Sequence, residues 1–408
     1  MPRPASTENG PGRRAVLSAA LSTAGAALVA SCSSNGSGGN GQITQTSPTV
    51  GPDPGATAPS ASPGAAAAGA ATTGSTPLGS TPATAGTAPA TASPPSTLRL
   101  GFFPNLTHAV ALVGLRQGYF ARALGSSVTI RQLSFTAGPA ELGALLGGSV
   151  DIAFIGPSPT ITGFRQSGGT ALRVIAGACS GGAALVVAKD VRTVADLRGR
   201  KVGSPQLGNT QDVALRYYLR GHGLRTTAAG GGDVAVVPAA NALLLQSFRQ
   251  GAIAGAWVPE PYLCELVAAG GHVLVDEASL WPGGRFVTTN VVVSSAFLAA
   301  SPTVVAAFLW GEVDTVAWMA ANPGAAKAAA NSALGALSGG RPLPAAVLDQ
   351  AWPRLSFTVD PLARTLAADA AHAASVLPAP AVDLAGLYHL GPLDAVLAGL
   401  HRPTVRGL

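Results

Sequence analysis

The sequence predicts an α/β protein of two lobes with mainly parallel sheets. Short apolar runs alternate with stretches of helical period, the rhythm of strand, helix, strand. That alternation runs twice before a mostly helical return that starts near Pro302. The patterned part, about 310 residues from Leu98 onward, is long enough for two cores.

Composition removes other classes. Charged residues are 11% of the chain and the formal charge is +6, with no Lys/Arg run, which is thin for a nucleic-acid binder. Three cysteines cannot build a disulfide framework. Hydrophobic residues reach 47%, but much of that is Ala, and beyond the first thirty residues no eighteen-residue stretch lacks a charge, a Pro or a Gly cluster.

The chain opens with an address. Arg13-Arg14 precede the uncharged run Ala15 to Ala30, a basic flank and short apolar segment that describe an export signal over residues 1–31. Val29-Ala30-Ser31-Cys32 resembles a bacterial lipobox, which implies acylation of the Cys32 thiol and attachment to a membrane. The twin arginines with Val16-Leu17 also resemble a twin-arginine signal, so export by either route stays open. From Cys32 to Thr97 the chain is Ser, Thr, Pro, Ala and Gly almost throughout, with Asp53 its single charge. Such a segment cannot bury enough apolar surface to offset its ordering entropy, and it reads as a tether. Gly36 to Gly41 matches a dinucleotide fingerprint as a string, without the strand and helix that the motif needs.

At Leu98 the pattern begins. Leu98–Phe103 alternates like a strand, Ala109–Leu124 has helical period, Val128–Phe135 is a second strand, Gly138–Leu146 a helix and Val150–Ile155 a third strand. Strands at Ala171–Ala176, Ala183–Ala188, Val234–Val237, Ala252–Trp257, Val273–Asp276 and Thr289–Val293 follow, with helices at Gln211–His222 and Ala240–Gln250 between them. Trp310, Trp318 and Trp352 fall in helical stretches and are expected in the core.

In open α/β sheets, ligands lie beyond the carboxyl ends of strands, where helix N-termini offer free N–H groups and the positive end of a dipole. Five strand exits here share one character: Pro104–His108, Gly156–Thr160, Ser180–Gly182, Gln206–Gln211 and Trp257–Pro261 are rich in hydroxyl, amide, Gly and Pro residues. Ser158 and Thr210 suit helix starts. A site rich in neutral donors and poor in cations suits an oxyanion such as a sulfonate or nitrate.

The same segments carry a resemblance. Leu98-Arg-Leu-Gly-Phe-Phe-Pro-Asn-Leu-Thr-His-Ala109, Phe135-Thr-Ala-Gly-Pro139, Asp151-Ile-Ala-Phe-Ile-Gly-Pro157, Val202 to Asp212 and Trp257-Val-Pro-Glu-Pro261 resemble the substrate-binding proteins of ABC importers in the nitrate/sulfonate/taurine family, the aliphatic-sulfonate branch above all. The resemblance implies a two-lobed periplasmic-binding-protein fold of type II, with residues 98–187 and 291–408 in one lobe and 188–290 in the other. It implies a monomer that closes on a small ligand by a hinge and docks a permease served by a separate ATPase. By position it implies Asn105, Thr107, His108, Ser158, Gly181, Gly182, Asn209, Thr210 and Gln211 as ligand contacts and Trp257 as an apolar wall. Glu260 either holds the Pro-flanked helix or meets an ammonium on the ligand.

Rival chemistry is weaker. Gly177-Ala-Cys-Ser-Gly181 resembles a nucleophile turn, but a Cys179 nucleophile needs a base and an orienting partner. Cys264 reads as a packed thiol, and whether it pairs with Cys179 is open. No metal-ligand spacing, Walker motif or cofactor motif is present, and the six His are dispersed. The fold also hosts enzymes of pyrimidine-precursor and menaquinone type, whose cytosolic substrates sit poorly with an export signal. Binders of nitrate, taurine or a heterocyclic vitamin precursor, and a sensor that binds without transport, share the remaining ground.

Overall fold

A computed structural model describes residues 97–408. The expected signal peptide, Cys32 and the tether up to residue 96 lie outside the described residues.

The first lobe starts as its sequence pattern demands. Strand β1 (Thr97–Phe102) is followed by α1 (Ala109–Arg116) and α2 (Tyr119–Leu124), then β2 (Thr129–Ser134), α3 (Gly138–Leu146), β3 (Ile152–Ile155), α4 (Pro157–Gln166) and β4 (Leu172–Gly181). The single helix expected over 109–124 breaks into two because Gly118 takes a left-handed φ of 72°, which stops α1 and starts α2. The second lobe holds β5 (Ala183–Val187), β6 (Lys201–Ser204), α5 (Thr210–Gly221), β7 (Ala235–Pro238), α6 (Asn241–Arg249), β8 (Gly255–Pro259), α7 (Tyr262–Ala268) and β9 (His272–Asp276). The chain then returns through β10 (Val287–Ser294), α8 (Ser295–Ala300), α9 (Pro302–Ala321), α10 (Pro323–Leu337), α11 (Ala345–Ala351), β11 (Leu355–Phe357), α12 (Ala363–Val376) and α13 (Gly391–Gly399).

The strand orders are β11-β4-β10-β3-β1-β2 and β7-β6-β8-β5-β9. The α/β class and the two sheets are as expected, but the sheets are mixed rather than mainly parallel. β1 runs parallel to β2 and β3, and β6 to β7 and β8. The strands that follow the crossovers, β5 and β10, run antiparallel to both neighbours, and β11 is antiparallel to β4. β4 passes directly into β5 at Gly181–Gly182, and β9 leads into β10 through two short 3-10 turns at 277–284, so neither crossover supplies the α-helical connection that parallel neighbours use.

Those strands also move the lobe boundaries. β5 pairs with β8 and β9, so the first crossing falls at Gly181–Gly182 instead of after residue 187. β10 pairs with β3 and β4 from Val287 onward, so the return crossing precedes residue 287 rather than following 290.

One apolar core is continuous across both sheets, from Leu98 and Phe308 to Val186 and Val258, and two smaller ones belong to one sheet each. On one face of the first sheet, Phe120 and Phe308 stack with ring centroids 4.7 Å apart beside Phe154, under Leu98, Leu100 and Phe102. The other face packs Leu142, Phe164, Leu366 and Leu387. In the second sheet Leu185, Val202 and Trp257 pack on Leu215 and Leu219 of α5. Helix α9 is long and apolar enough to cross a membrane, but half of that span is buried in the first lobe, on α1, α2 and α13. Trp310 departs from expectation at 39% exposure: the buried stripe of α9 runs through Val305, Phe308, Leu309 and Val313, and Trp310 lies off it. Trp318 and Trp352 are half-buried. Helix α12 of the returning chain packs on both α4 and α5, so it touches both lobes.

Candidate functional site

Four helix starts converge on a narrow gap between the lobes. The first lobe brings Phe103, Asn105, Thr107, His108, Thr136, Gly156 and Thr288 to it; the second brings Asn209, Thr210, Gln211, Asn241 and Pro259. The gap encloses about 20 Å³, space for about one water molecule. No Asp, Glu, Lys or Arg lines it.

The strand exits place these groups for local reasons. After β1 the chain turns at Asn105, whose Oδ1 accepts from Thr107 Oγ1 at 2.6 Å, leaving the Asn105 amide hydrogens free to donate. Thr289 Oγ1 donates to the Thr107 carbonyl at 3.0 Å and ties this turn to β10. His108 is buried against Phe103, with ring centroids 4.3 Å apart, and its Nδ1 accepts from Phe103 N at 3.2 Å. Loss of solvation pushes its pKa down to about 3, so at neutral pH the ring is uncharged. With Nδ1 accepting, the hydrogen sits on Nε2, and the ring is a neutral donor.

The second lobe contributes the start of α5. Asn209 is the extended N-cap and its Oδ1 accepts from Thr210 N at 2.9 Å. Thr210 Oγ1 is buried with no hydrogen-bond partner, and so is Asn241 Oδ1 at the start of α6. The turn before α5 is held by Asp212, which accepts from Ser204 Oγ at 2.6 Å, Gly208 N at 3.0 Å and Arg216 Nε at 2.9 Å. Both charged residues of that ion pair are fully buried.

Asn105, Thr107, His108, Asn209, Thr210 and Gln211 therefore meet at one gap, while five other residues expected there do not line it. Ser158 Oγ donates to Asp369 Oδ2 on α12 at 2.6 Å. Gly181 and Gly182 form the crossover, with φ of 82° and 74°. A Cβ there would meet the Arg354 carbonyl at 2.6 Å or Leu355 Cδ2 at 2.3 Å, so glycine serves passage of the chain and not the ligand. Trp257 lies wholly inside the second lobe, where its Nε1 donates to Glu277 Oε2 at 2.7 Å. Glu260 braces the start of α7: its Oε2 accepts from Cys264 N at 3.2 Å, Cys264 Sγ donates to Oε1 at 3.1 Å, and Arg354 Nε stands 3.6 Å away.

Sequence reasoning overlooked Thr136, Gly156, Asn241 and Thr288. Thr136 and Gly156 fall inside segments that were singled out, and Asn241 opens the helix after β7, where the same strand-exit logic applies. Thr288 sits within β10 and has no local signal. Cys179 and Cys264 are both free and buried. Burial pushes the Cys179 thiol well up, and no imidazole hydrogen-bonds its sulfur, which leaves the nucleophile reading without a base.

Comparison with known proteins decides the family. The model of the NMT1-like family matches residues 91–334. The chain belongs to that family. The taurine-binding periplasmic protein of Escherichia coli (strain K12) is 29% identical over 213 residues, 52% of this chain and 64% of that one. A putative aliphatic sulfonates-binding protein of the same organism is 29% identical over 199 residues, 48% of this chain and 59% of that one. The chain thus spans less than two thirds of the length of these curated relatives. Among solved structures, the alkanesulfonate-binding protein of Xanthomonas axonopodis pv. citri bound to MOPS has a TM-score of 0.57 at 20% identity, covering 70% of this chain and 94% of that one. That likeness shows the two-lobed binding-protein fold.

Three buried carboxyls near the lobe junction give the fold a pH dependence. Desolvation pushes Glu260 and Asp369 up to about 7 and Glu277 up to about 8. Between their ordinary values and these, the native chain keeps protons that the unfolded chain has released, so stability falls as pH rises through that window. His108 acts in the opposite sense, and only below its ordinary value of 6.5. The melting temperature is therefore expected to fall from pH 6.5 to pH 8.5, and Glu277→Gln should flatten the fall; a rise over that range in calorimetric scans would contradict the assignment.

Proposed function

We propose that this chain is the extracytoplasmic solute-binding lipoprotein of an ABC importer, and that it captures a small anion, an aliphatic sulfonate, between its lobes. One observation carries the reading: both lobes line a gap without formal charge, where the start of α5 presents the buried, unpartnered Thr210 Oγ1. A sulfonate is ionised at physiological pH and has three oxygens to satisfy. Backbone N–H groups at a helix start, an uncharged imidazole N–H and neutral amides can satisfy them without a buried cation. The names of the relatives support the same ligand class.

The lining also bears on which sulfonate. Taurine carries an ammonium, and no carboxylate lines the gap. Glu260, which could have supplied one, is engaged by Cys264 and Arg354. A simple alkanesulfonate suits the gap better than an amino-sulfonate. Lobe closure would bury the head group, and the loaded protein would pass it to a permease driven by a separate ATPase. Acylation at Cys32 and the tether up to residue 97 would keep the protein at the membrane outside the cell.

A thermal-shift panel of alkanesulfonates, taurine, nitrate and a neutral heterocycle tests the ligand class, since a bound ligand raises the melting temperature by mass action. Alkanesulfonates are expected to give the largest shift; a shift confined to the neutral heterocycle would overturn the reading. Thr210→Ala should weaken the best ligand by about 1 kcal/mol or more in calorimetry, roughly fivefold in Kd. Unchanged affinity would remove Thr210 from the site. Cys32→Ala should move the protein from the membrane fraction to the soluble one, and persistent membrane association would refute the lipid anchor.

A further inference from the structure

A larger cavity lies further along α5 and shares no lining residue with the gap. It encloses about 460 Å³ between α5, the segment joining β9 to β10, and α12. Counted along the helix axis, its first α5 residue, Ala214, is about one turn beyond Thr210, and its last, His222, about three turns. Its character is opposite to that of the gap. Tyr217, Tyr218, Trp257, Trp281, His222 and His372 supply its rings, and Glu277 lies among them.

The rings brace one another across the lobes. Tyr217 of the second lobe stacks on His372 of α12 with centroids 3.6 Å apart, and Trp281 tilts against the same imidazole at 5.6 Å. Tyr218 tilts against Trp257 at 5.5 Å and against His222 at 4.2 Å. Ring faces are regions of negative potential, and no Lys or Arg lines the cavity.

Glu277 is a buried carboxyl held by indole N–H groups and, among the described residues, by no cation. It is 3% exposed, and buried carboxylates are ordinarily paired with a cation. Among the described residues it takes part in no ion pair. Trp257 Nε1 donates to Oε2, and the Trp281 indole is a second donor beside the carboxyl, so its partners are neutral. Burial above all, with Asp369 and then Asp276 adding negative charge nearby, pushes the Glu277 carboxyl up to about 8. A positive charge brought into the chamber would favour loss of the Glu277 proton and be held by the resulting carboxylate and by the ring faces together.

We propose that this chamber is a second ligand site, specific for a small organic cation: an ammonium or quaternary ammonium on an aromatic or compact apolar frame. Its volume lies in the ordinary range for small-molecule pockets. Trp257, singled out from the sequence as a wall of the anion site, is a wall of this one. The inference does not depend on what the gap binds, so either reading can fail alone.

Titration of the full chain at pH 8 with benzyltrimethylammonium tests it, with benzyl alcohol as the neutral control and benzenesulfonate as the anionic one. Trp257 and Trp281, two of the five tryptophans, report on the chamber through the change in intrinsic fluorescence, and calorimetry gives the affinity. The cation is expected to produce saturable quenching and heat, with both controls at least about tenfold weaker. Glu277→Gln should weaken the cation about tenfold or more and leave benzyl alcohol unchanged. Tyr217→Ala, at a half-open ring that the core does not need, should weaken the cation as well and serves if the buried variant fails to fold. No saturable binding of the cation, equal binding of the neutral control, or full affinity in both variants would overturn the proposal.

Discussion

The second-lobe wall of the gap hangs on a carboxylate that never lines it. Asp212 sits in the first turn of α5 with no exposed surface and gathers the end of β6, the loop at Gly208 and the Arg216 guanidinium around its two oxygens. Arg216 in turn donates to the Thr227 carbonyl at 2.6 Å, so the loop before β7 is drawn into the same bracket. Removing one partner of such a buried pair costs about 3–5 kcal/mol, because the other charge is left stranded. With the bracket in place, Asn209, Thr210 and Gln211 are set before any ligand arrives, and donors that are already oriented need no reorganisation on binding.

The opposite wall is set by the crossovers. Gly181 and Gly182 let the chain pass from one sheet to the other where a side chain would collide with Arg354 or Leu355. Around them, Thr288 Oγ1 donates to the Gly181 carbonyl at 2.6 Å, and Glu260 N donates to that of Gly182 at 2.8 Å. The Glu260 carbonyl accepts from Leu106 N at 3.2 Å. Residues 106, 182, 260 and 288 are far apart in sequence and adjacent in space, so the crossover and the β1 exit are tied together. Arg354 links Glu260 and Asp276 from the returning chain, with Nη1 2.6 Å from Asp276 Oδ2.

Legibility in the sequence followed the range of the interactions. The strand exits at Asn105–His108 and Asn209–Gln211 were readable because their chemistry is local: a short polar side chain stands just before a helix, and its partner is one or two residues away. Glu260 braces its helix through Cys264 four residues on, one of the two roles the sequence offered. The roles of Ser158 and Trp257 were not readable, because each is decided by a partner remote in sequence, Asp369 and Glu277. The same holds for sheet direction. Apolar alternation marks a strand, but whether β5 and β10 run with or against their neighbours depends on where the chain changes lobe, and for β5 that is set by two glycines whose φ no periodicity reveals. β11 escaped notice because three residues carry no period.

The two cavities divide polar chemistry in a way that can be checked. The gap has donors and no charge; the chamber has rings and a carboxylate. For the gap, the central claim is that helix ends and neutral donors select the charge of the solute and not its shape. Methanesulfonate and dimethyl sulfone are close in size and differ in charge, and calorimetric titration of both is the most direct measurement. Saturable heat with methanesulfonate and none with dimethyl sulfone is the predicted result. Equal affinity for the two, or binding of the sulfone alone, would contradict it.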